Sequence, residues 1–418
     1  MESFGTYLTE DKGGKNLHLE HIEDEIVNYG ISGGRAAINF LRSLRNMLAG
    51  SASKSVNMTV KWDGAPAIFA GIDPSDGKFF VAKKSVFNAK PLLYKSVEEI
   101  QDADELNDTL KTKFTISFTE FKKLGIKDVL QGDLMFTNDV ETKDIDGETY
   151  YTFQPNTLVY AIPVKSDLGK TINSAKVGIV WHTTYSGNDL QTMSASFGAD
   201  ISGLRKTSSV WMDDATYKDV SGNAKMTKSE TTAVTKVLSN AGRSFRKINS
   251  ADLSKFQTMQ KDVMKGQLAG ASFKTYLNSF IKKGEQFSLE KAKKLDYPMY
   301  VKQYFDEKII VKLKTEKARQ QKEELRDSLV KDLLKMNKTV YSMIEFMGDI
   351  VEAKSLIINK LNKIQQLAKV FIRTKNGYQV TNVEGYVAVD TDGKSAVKLV
   401  DRLEFSYNNF TAAKNWDK

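Results

Sequence analysis

Near the N-terminus, apolar residues recur every three or four positions, which is the spacing of an amphipathic helix. Residues 16–29 form the first predicted helix, and Gly30 is its expected end because glycine commonly terminates helices. A second helix is predicted from Ser32 to about Met47, with apolar positions at helical spacing at Ile38, Leu41, Leu44 and Leu48. The pattern therefore predicts a helical hairpin before the main body of the protein.

From Val56 the period shortens, and short β-rich runs alternate with turn residues such as those at 73–77. A helical stretch is predicted over 97–125, and strands follow at 129–137, near 150–164 and at 176–185. The Asp146-Gly147 pair predicts a hairpin turn.

Residues 228–370 show the helical period again, with only Pro298 to interrupt it. Helices are predicted over 228–240, 251–266, 300–335 and 338–370. Strand patterns return over 378–406, with a tight turn at Thr391-Asp392-Gly393. Because 378–406 is too short to fold alone, we predict an α+β domain that a helical insertion interrupts. The predicted division is an N-terminal helical segment (1–50), the first part of the core (51–220), the insertion (221–375) and the final core strands (376–418).

Composition excludes several classes of site. The 418 residues contain no cysteine, which excludes disulfides, thiolate zinc sites and cysteine nucleophiles. Three histidines are too few for most histidine metal sites. We read no signal peptide and no stretch of 18 apolar residues, so we expect a cytoplasmic protein without a membrane segment, located in the host cytoplasm if a phage encodes it.

Charge is unevenly distributed along the chain. Residues 221–380 carry 32 Lys and Arg against 16 Asp and Glu, whereas the whole chain has a net charge of +9. A basic block of this kind predicts a polyanion partner, and the alternative is a set of solvated helix faces. The aromatic residues in this block have helical spacing, which favours the core over base stacking: Phe245, Phe256, Phe273, Tyr276 and Phe280.

The most informative candidate for chemistry is Lys61-Trp62-Asp63-Gly64, which follows an apolar run. A lysine at the end of a strand, next to an Asp-Gly turn, has restricted mobility. That restriction suits a nucleophilic amine, which must be activated by its surroundings.

Further segments follow in an order that resembles the covalent nucleotidyltransferase superfamily, which includes the ATP-dependent DNA and RNA ligases and the capping guanylyltransferases. Lys61-Trp62-Asp63-Gly64 resembles the motif whose lysine becomes adenylylated. Residues 81–85 (VAKKS) resemble the basic segment that follows it. Residues 131–135 (QGDLM) resemble the Gly-Glu-Leu strand, with Asp133 in place of glutamate.

Three later segments extend the resemblance. Residues 158–163 (LVYAIP) resemble the strand whose aromatic residue stacks on the purine. Residues 384–387 (EGYV) are close to the Glu-Gly-x-Val motif of phage RNA ligases, and 396–400 (AVKLV) resemble the final strand. That strand usually carries two lysines, and only Lys398 is present here; Arg402 is a candidate for the second cation. The resemblance covers residues 56–185 and 378–406.

The resemblance implies a nucleotidyltransferase core of antiparallel sheets, related to the ATP-grasp type, with ATP and Mg²⁺ or Mn²⁺ as cofactors. Lys61 and Lys398 would be the catalytic residues. The expected ligands of the nucleotide are Asp63, Gly64, Lys84, Asp133, Tyr160 and Glu384, and the carboxylates of Asp133 and Glu384 would also bind the metal. Trp181 is the alternative stacking residue, and His182 is expected to line the pocket or the core.

The implied function is an ATP-dependent polynucleotide ligase of the phage type, acting as a monomer on the 5′-phosphate and 3′-hydroxyl ends of DNA or RNA. One alternative is a GTP-dependent capping-type enzyme. The other is a nucleic-acid-binding protein without activity. His18 and His21, with Glu20, Glu23, Asp24 and Glu25, form a weaker metal candidate, for which a surface helix is the favoured interpretation.

Overall fold

A computed structural model describes residues 21–50, 57–215, 225–263, 271–362, 369–374, 377–381, 385–389 and 396–407. Within these ranges the chain forms helices and three open sheets, which confirms the predicted mixed α+β class. None of the helices in these ranges combines the length and apolar composition that a membrane crossing requires.

The N-terminal segment is helical with a break at the predicted place. A short 3₁₀ turn (Ile22–Asp24) leads into α1 (Glu25–Leu48), in which Gly30 has a non-helical φ of 65°. Only glycine adopts such a φ at little cost. The Gln257 side chain donates hydrogen bonds to the carbonyls of Val27 (3.1 Å) and Asn28 (3.2 Å) beside this break. A side chain from a distant helix thereby contributes hydrogen bonds beside the break.

The largest sheet has the order β10-β8-β4-β2-β3, with β9 pairing to β8. All of its pairs are antiparallel except β8 with β10. One face packs on the helical segment predicted over 97–125, which consists of α2 (Val97–Gln101), α3 (Asp108–Phe121) and a 3₁₀ turn (Lys122–Leu124). The strands are β2 (Ala67–Ile72), β3 (Phe79–Ala82), β4 (Val129–Phe136), β8 (Val177–Ser186), β9 (Ser194–Phe197) and β10 (Val210–Asp213).

The two smaller sheets combine strands from both ends of the chain. The order β12-β11-β7-β6-β5 joins β11 to β7, and the order β1-β13-β14 joins β13 to β1. Asp146 (φ 52°) and Gly147 (φ 82°) form the predicted turn between β5 and β6. The strands are β1 (Asn57–Lys61), β5 (Glu141–Ile145), β6 (Glu148–Phe153), β7 (Leu158–Pro163), β11 (Lys369–Thr374), β12 (Gly377–Thr381), β13 (Gly385–Val389) and β14 (Ala396–Val400). A short helix, α4 (Asp167–Ser174), follows β7. The predicted turn at 391–393 lies outside the described residues.

Between β10 and β11 the described chain is helical. The helices are α5 (Lys228–Arg246), α6 (Ser250–Val263), α7 (Ala271–Ile281), α8 (Leu289–Lys294), α9 (Tyr297–Tyr304), α10 (Glu316–Lys335) and α11 (Asn337–Asn362). Two predicted helices were too long. The stretch 300–335 is interrupted by π and 3₁₀ turns over 305–312, and α11 ends at Asn362, because from Lys369 the chain is a strand paired to β7.

Aromatic residues of this helical segment are packed in its interior, as their spacing predicts. Phe256, Phe273 and Tyr276 are fully buried, Phe280 is nearly so and Phe245 is partly buried. They share one apolar core with α1 and with residues around Trp62 and Tyr160.

A buried ion network joins the N-terminal segment, the helical segment and the C-terminal strands. The Arg402 guanidinium donates to both carboxylate oxygens of Asp24, at 2.8 and 3.0 Å, and Lys354 Nζ lies 2.7 Å from Glu23 Oε2. All four side chains are at most 2% exposed. The surface helix favoured for Glu23, Asp24 and Glu25 is therefore wrong, because all three carboxylates are buried and distant cations pair with those of Glu23 and Asp24. His18 and Glu20 lie outside the described residues.

The network also sets the charges of its members. Burial alone would raise the pKa of Glu23, but the charges of Lys354 and Arg402 outweigh it and hold the pKa below its ordinary value. Burial, with Arg402 and Lys354 nearby, lowers the pKa of His21 well below its usual range, so His21 is neutral. This corner is an ion-paired structural junction, and no group of three metal-ligating side chains occurs in the described chain.

Candidate functional site

Lys61 occupies the junction of two sheets. It is the last residue of β1 and lies opposite Gly385 of β13. The chain then crosses to the six-stranded sheet, where Ala67 begins β2 opposite Asp133. The backbone at Lys61 is therefore held by pairing with β13 before the turn and by the start of β2 after it. The sequence predicts such restricted mobility for this lysine.

The alternation of the three-stranded sheet places Lys61 and Lys398 on one face. Val60 pairs with Tyr386, which pairs with Leu399, and these three side chains are buried in the core. Because side chains alternate along a strand, the neighbouring positions point to the other face. Lys61 and Lys398 are both on that face, on the two strands that flank β13, and both are partly exposed. The structure thus brings the two predicted catalytic lysines onto one surface.

Asp63 anchors the turn after Lys61. Its Oδ2 accepts from the backbone N–H groups of Thr157 (2.7 Å) and Leu158 (2.9 Å), and its Oδ1 accepts from Asn156 Nδ2 at 2.7 Å. The side chain is buried. Three donors occupy the carboxylate, so the predicted role of Asp63 as a nucleotide ligand is corrected to that of a structural anchor.

We expect Asp63→Ala to destabilise the protein by about 2–6 kcal/mol, because two buried N–H groups would lose their acceptor at roughly 1–3 kcal/mol each. Asp63→Asn is the matched control. Its amide oxygen can still face Thr157 and Leu158, while the Asn156 amide can rotate to present its oxygen. Urea unfolding of both variants measures the difference, and equal losses for the two would contradict the anchoring role.

Tyr160 does not offer a face to a purine. It is 1% exposed, its ring packs against Trp62 (centroids 5.2 Å apart) and Phe153 (5.6 Å), and its hydroxyl accepts from the backbone N–H of Asp63 at 2.7 Å. Trp181, the alternative stacking residue, is fully buried against Phe121. Both stacking predictions are therefore wrong: these rings belong to the core, and Tyr160 also supports the turn after Lys61.

Asp133 lies beside that turn, and Gly64 allows the close approach. A Cβ at Gly64 would come within 2.4 Å of Asp133 Cβ, and Ala65 N–H donates to the Leu134 carbonyl at 3.0 Å. Only a residue without a side chain fits there. Gly64 therefore serves close packing, and Asp133, whose side chain is 22% exposed, presents its carboxylate next to the turn.

His182 is the polar neighbour of Asp133. Its Nε2 lies 3.7 Å from Asp133 Oδ1, too far for a direct hydrogen bond, and its Nδ1 lies 2.9 Å from Thr183 Oγ1. If Nδ1 carries the proton and donates to Thr183, the Nε2 lone pair faces a carboxylate oxygen. His182 is thus a partly exposed neighbour of Asp133.

Asp133 and His182 offer two ligands to a divalent cation, and the described side chains supply no third carboxylate or imidazole ligand beside them. A carboxylate oxygen and an imidazole nitrogen suit Mn²⁺ at least as well as Mg²⁺, and the bond from Nδ1 to Thr183 is the kind of support that orients a ligating histidine. Asp133 and His182 are the residues that would hold a metal here. Glu384, the other predicted metal ligand, lies outside the described residues.

Lys84 is an exposed residue at the same end of the large sheet. It follows β3, which ends at Ala82, and β3 pairs with β2 so that its end lies near Ala67, the partner of Asp133. Arg402, the candidate second cation of the final strand, is buried and bound to Asp24, so it is not available to a substrate. Of the predicted basic residues, Lys61 and Lys398 are thus partly exposed and Lys84 is exposed.

A cleft of about 670 Å³ lies at the opposite end of the large sheet, lined by residues that include Asp73, Lys95, Glu99 and Asp189. Lys95 Nζ is held by Asp73 at 2.6 Å and by Asp76 at 2.9 Å. Its cation is neutralised within the protein, so the junction at Lys61 is the stronger candidate for binding an anionic substrate.

Comparison with known proteins identifies a family but no activity. The sequence pattern of a family of unknown function, DUF6267, matches residues 16–414, so the chain belongs to that family. No curated protein matches the chain. No solved structure matches it either.

Proposed function

We propose that this member of DUF6267 is a covalent nucleotidyltransferase that acts as an ATP-dependent polynucleotide ligase. The observation that carries the proposal is the placement of Lys61, a strand-end lysine at the junction of two sheets, with Lys398 on the same face and Asp133 beside the following turn. The order of the motifs along the sequence supports the same assignment.

The first step assigns a role to each lysine. The neutral Lys61 amine attacks the α-phosphorus of ATP, a P–N bond forms, the bond to the β-phosphate oxygen breaks, and pyrophosphate leaves with its electron pair. The proton that Lys61 loses passes to solvent. A cation on the same face, Lys398, favours the neutral form of Lys61 and attracts the phosphates, so it both activates the nucleophile and positions the substrate. Lys84 is exposed at the same sheet end and would add a further positive charge near the leaving group.

Asp133 and His182 are the residues that would hold a divalent cation, which would supply neutralisation of phosphate charge. The chain itself supplies orientation. The bonds of Asp63 to the 156–158 segment fix the turn after Lys61, and Gly64 brings that turn against Asp133. In-line phosphoryl transfer depends mainly on such positioning and on charge neutralisation.

In the two later steps, the AMP would move from Lys61 to a 5′-phosphate end, and a 3′-hydroxyl would then displace it. In the first of them, an oxygen of the 5′-phosphate bonds to the AMP phosphorus and the P–N bond to Lys61 breaks. In the second, the 3′-oxygen bonds to the phosphorus of the 5′ end and AMP leaves. A single fixed lysine beside a carboxylate can therefore serve the whole sequence, provided that a polynucleotide end reaches the junction.

The test is covalent labelling of the purified full-length protein. We expect incubation with α-labelled ATP and Mn²⁺ or Mg²⁺ to give a label that survives denaturing electrophoresis, and a mass increase of one AMP located by peptide mapping at Lys61. Prior treatment with pyrophosphate removes any AMP already bound. Labelling by GTP alone would instead indicate capping-type chemistry, and no label from either nucleotide would overturn the proposal in favour of a binding protein without activity.

A further inference from the structure

Two helices carry a stripe of positive charge on one side of their contact. On α1 the cations are Arg35, Arg42 and Arg45, and on α5 they are Lys228, Lys236, Arg243 and Arg246. Their separations of three, seven and eight residues keep each set on one helical face. Six of the seven are exposed, and Arg45 is partly exposed.

The two helices run antiparallel, so the two sets lie side by side. Arg45 Nη1 donates to Thr235 Oγ1 at 3.0 Å. Gly34 lies against the Phe245 ring, since a Cβ added to Gly34 would be 2.6 Å from a ring atom. At the other end, the Met226 N–H donates to the Leu48 carbonyl at 2.6 Å. The α1 residues thus meet the α5 residues in reverse order, and we call the joint surface the α1–α5 basic face.

Among the described residues, acidic side chains do not neutralise this face. The only acidic residue of α1 is Glu25, which is buried, and the only one of α5 is Glu230, which pairs with Lys360 at 3.1 Å on another side. Within the described chain, none of the seven cations forms an ion pair with a carboxylate. Burial, and after it the neighbouring Arg42 guanidinium, lowers the pKa of Arg45.

We infer that the α1–α5 basic face binds the phosphate backbone of a nucleic acid. α5 has 19 residues, and at 1.5 Å per residue the face is about 27 Å long, enough to follow about eight base pairs at 3.4 Å each. The cations alternate with exposed hydroxyl and amide side chains such as Ser43, Thr232 and Ser239. Phosphate backbones are contacted by this mixture of residue types.

A membrane surface fits the face less well. Binding at a lipid interface uses apolar side chains that enter the bilayer as well as basic ones. The large apolar residues that are exposed in the described chain are Leu92, Met299, Val311, Leu334 and Tyr407, none of which lies on α1 or α5. Binding at this face does not depend on nucleotide chemistry at Lys61. Part of the face lies on α1, outside the insertion that contains the basic block of the sequence.

The test compares two charge-matched triple variants of the full-length protein. Arg42→Gln, Lys236→Gln and Arg243→Gln together remove three charges from the face. Lys314→Gln, Lys317→Gln and Lys331→Gln remove three exposed charges near and on α10. Fluorescence anisotropy with labelled 20-nucleotide single strands and 20-base-pair duplexes, at 50 to 200 mM KCl, gives affinity and salt dependence.

We expect the basic-face variant to bind at least tenfold more weakly, with a log–log salt slope shallower by about 2–3 because each lost phosphate contact removes roughly 0.9. The α10 variant should keep the wild-type slope and an affinity within about threefold. Equal losses in both variants, or no binding of either nucleic acid by the wild type, would overturn the inference. So would charge-dependent binding of phosphatidylserine vesicles without binding of nucleic acid. Labelling at Lys61 should be unchanged in the basic-face variant, so failure of the two proposals can be told apart.

Discussion

Replacement of Lys61 by alanine is expected to abolish covalent nucleotide labelling of the protein. The amine is the only atom proposed to bond to phosphorus, so no partial activity should remain above background. Lys61→Arg should be equally inactive, because a guanidinium stays protonated and is not a nucleophile at neutral pH. The measurement is the labelling reaction proposed above, with Lys78→Ala, an exposed lysine at the far end of β2 and β3, as the control.

Replacement of Lys398 is expected to slow covalent labelling without abolishing it. We expect Lys398→Ala to lower the labelling rate at pH 7 by about 100-fold, in line with the loss of one charged group that stabilises phosphoryl transfer. A labelling rate within about threefold of the wild type would show that Lys398 does not take part in the reaction. Persistent label in both Lys61 variants would contradict the proposed chemistry altogether.

Breaking the Arg402–Asp24 pair is expected to destabilise the protein strongly. Arg402→Met would leave the Asp24 carboxylate buried without its bidentate partner, and removal of one member of a buried pair costs about 3–5 kcal/mol. The change should appear as a lower midpoint of urea unfolding. Because the pair joins the 3₁₀ turn before α1 to the segment after β14, the strand that carries Lys398 should also lose its support.

The double variant Asp24→Leu with Arg402→Met separates the two contributions. If the cost arises from an uncompensated charge, apolar replacement of both residues should recover most of the stability. Lys294→Met, which removes the exposed Glu290–Lys294 pair, is the control and should leave the midpoint unchanged. A double variant as unstable as Arg402→Met would show that the guanidinium acts through other contacts, such as its bond to Asn278 Oδ1 at 3.2 Å.

Part of the site follows from local sequence. The apolar run and the Asp-Gly pair place Lys61 at a strand end, and period-two alternation with the pairing of β1, β13 and β14 explains why Lys61 and Lys398 share a face. The contacts that the side chains of this region make do not follow from local sequence. Asp63 and Tyr160 both have the residue type that a nucleotide site uses. Contacts between the turn after Lys61 and residues almost a hundred positions later decide otherwise, because Asp63 anchors that turn and Tyr160 lies in the core. His182 had no motif to identify it, and only the register of β4 with β8 brings it to Asp133.

By itself, the sequence determined the features that depend on neighbouring residues. These are the break at Gly30, the turn at Asp146-Gly147, the helical character of the segment between β10 and β11, and the mixed α+β class, all of which arise from φ preferences and hydrophobic periods. Only the tertiary structure decided which charges are buried and which strands pair across the chain. Glu23, Asp24 and Arg402 look like surface residues in a linear pattern, because a charge is stable inside a protein only beside a partner, and here that partner is hundreds of positions away. The same holds for the α1–α5 basic face, which neither helix forms alone.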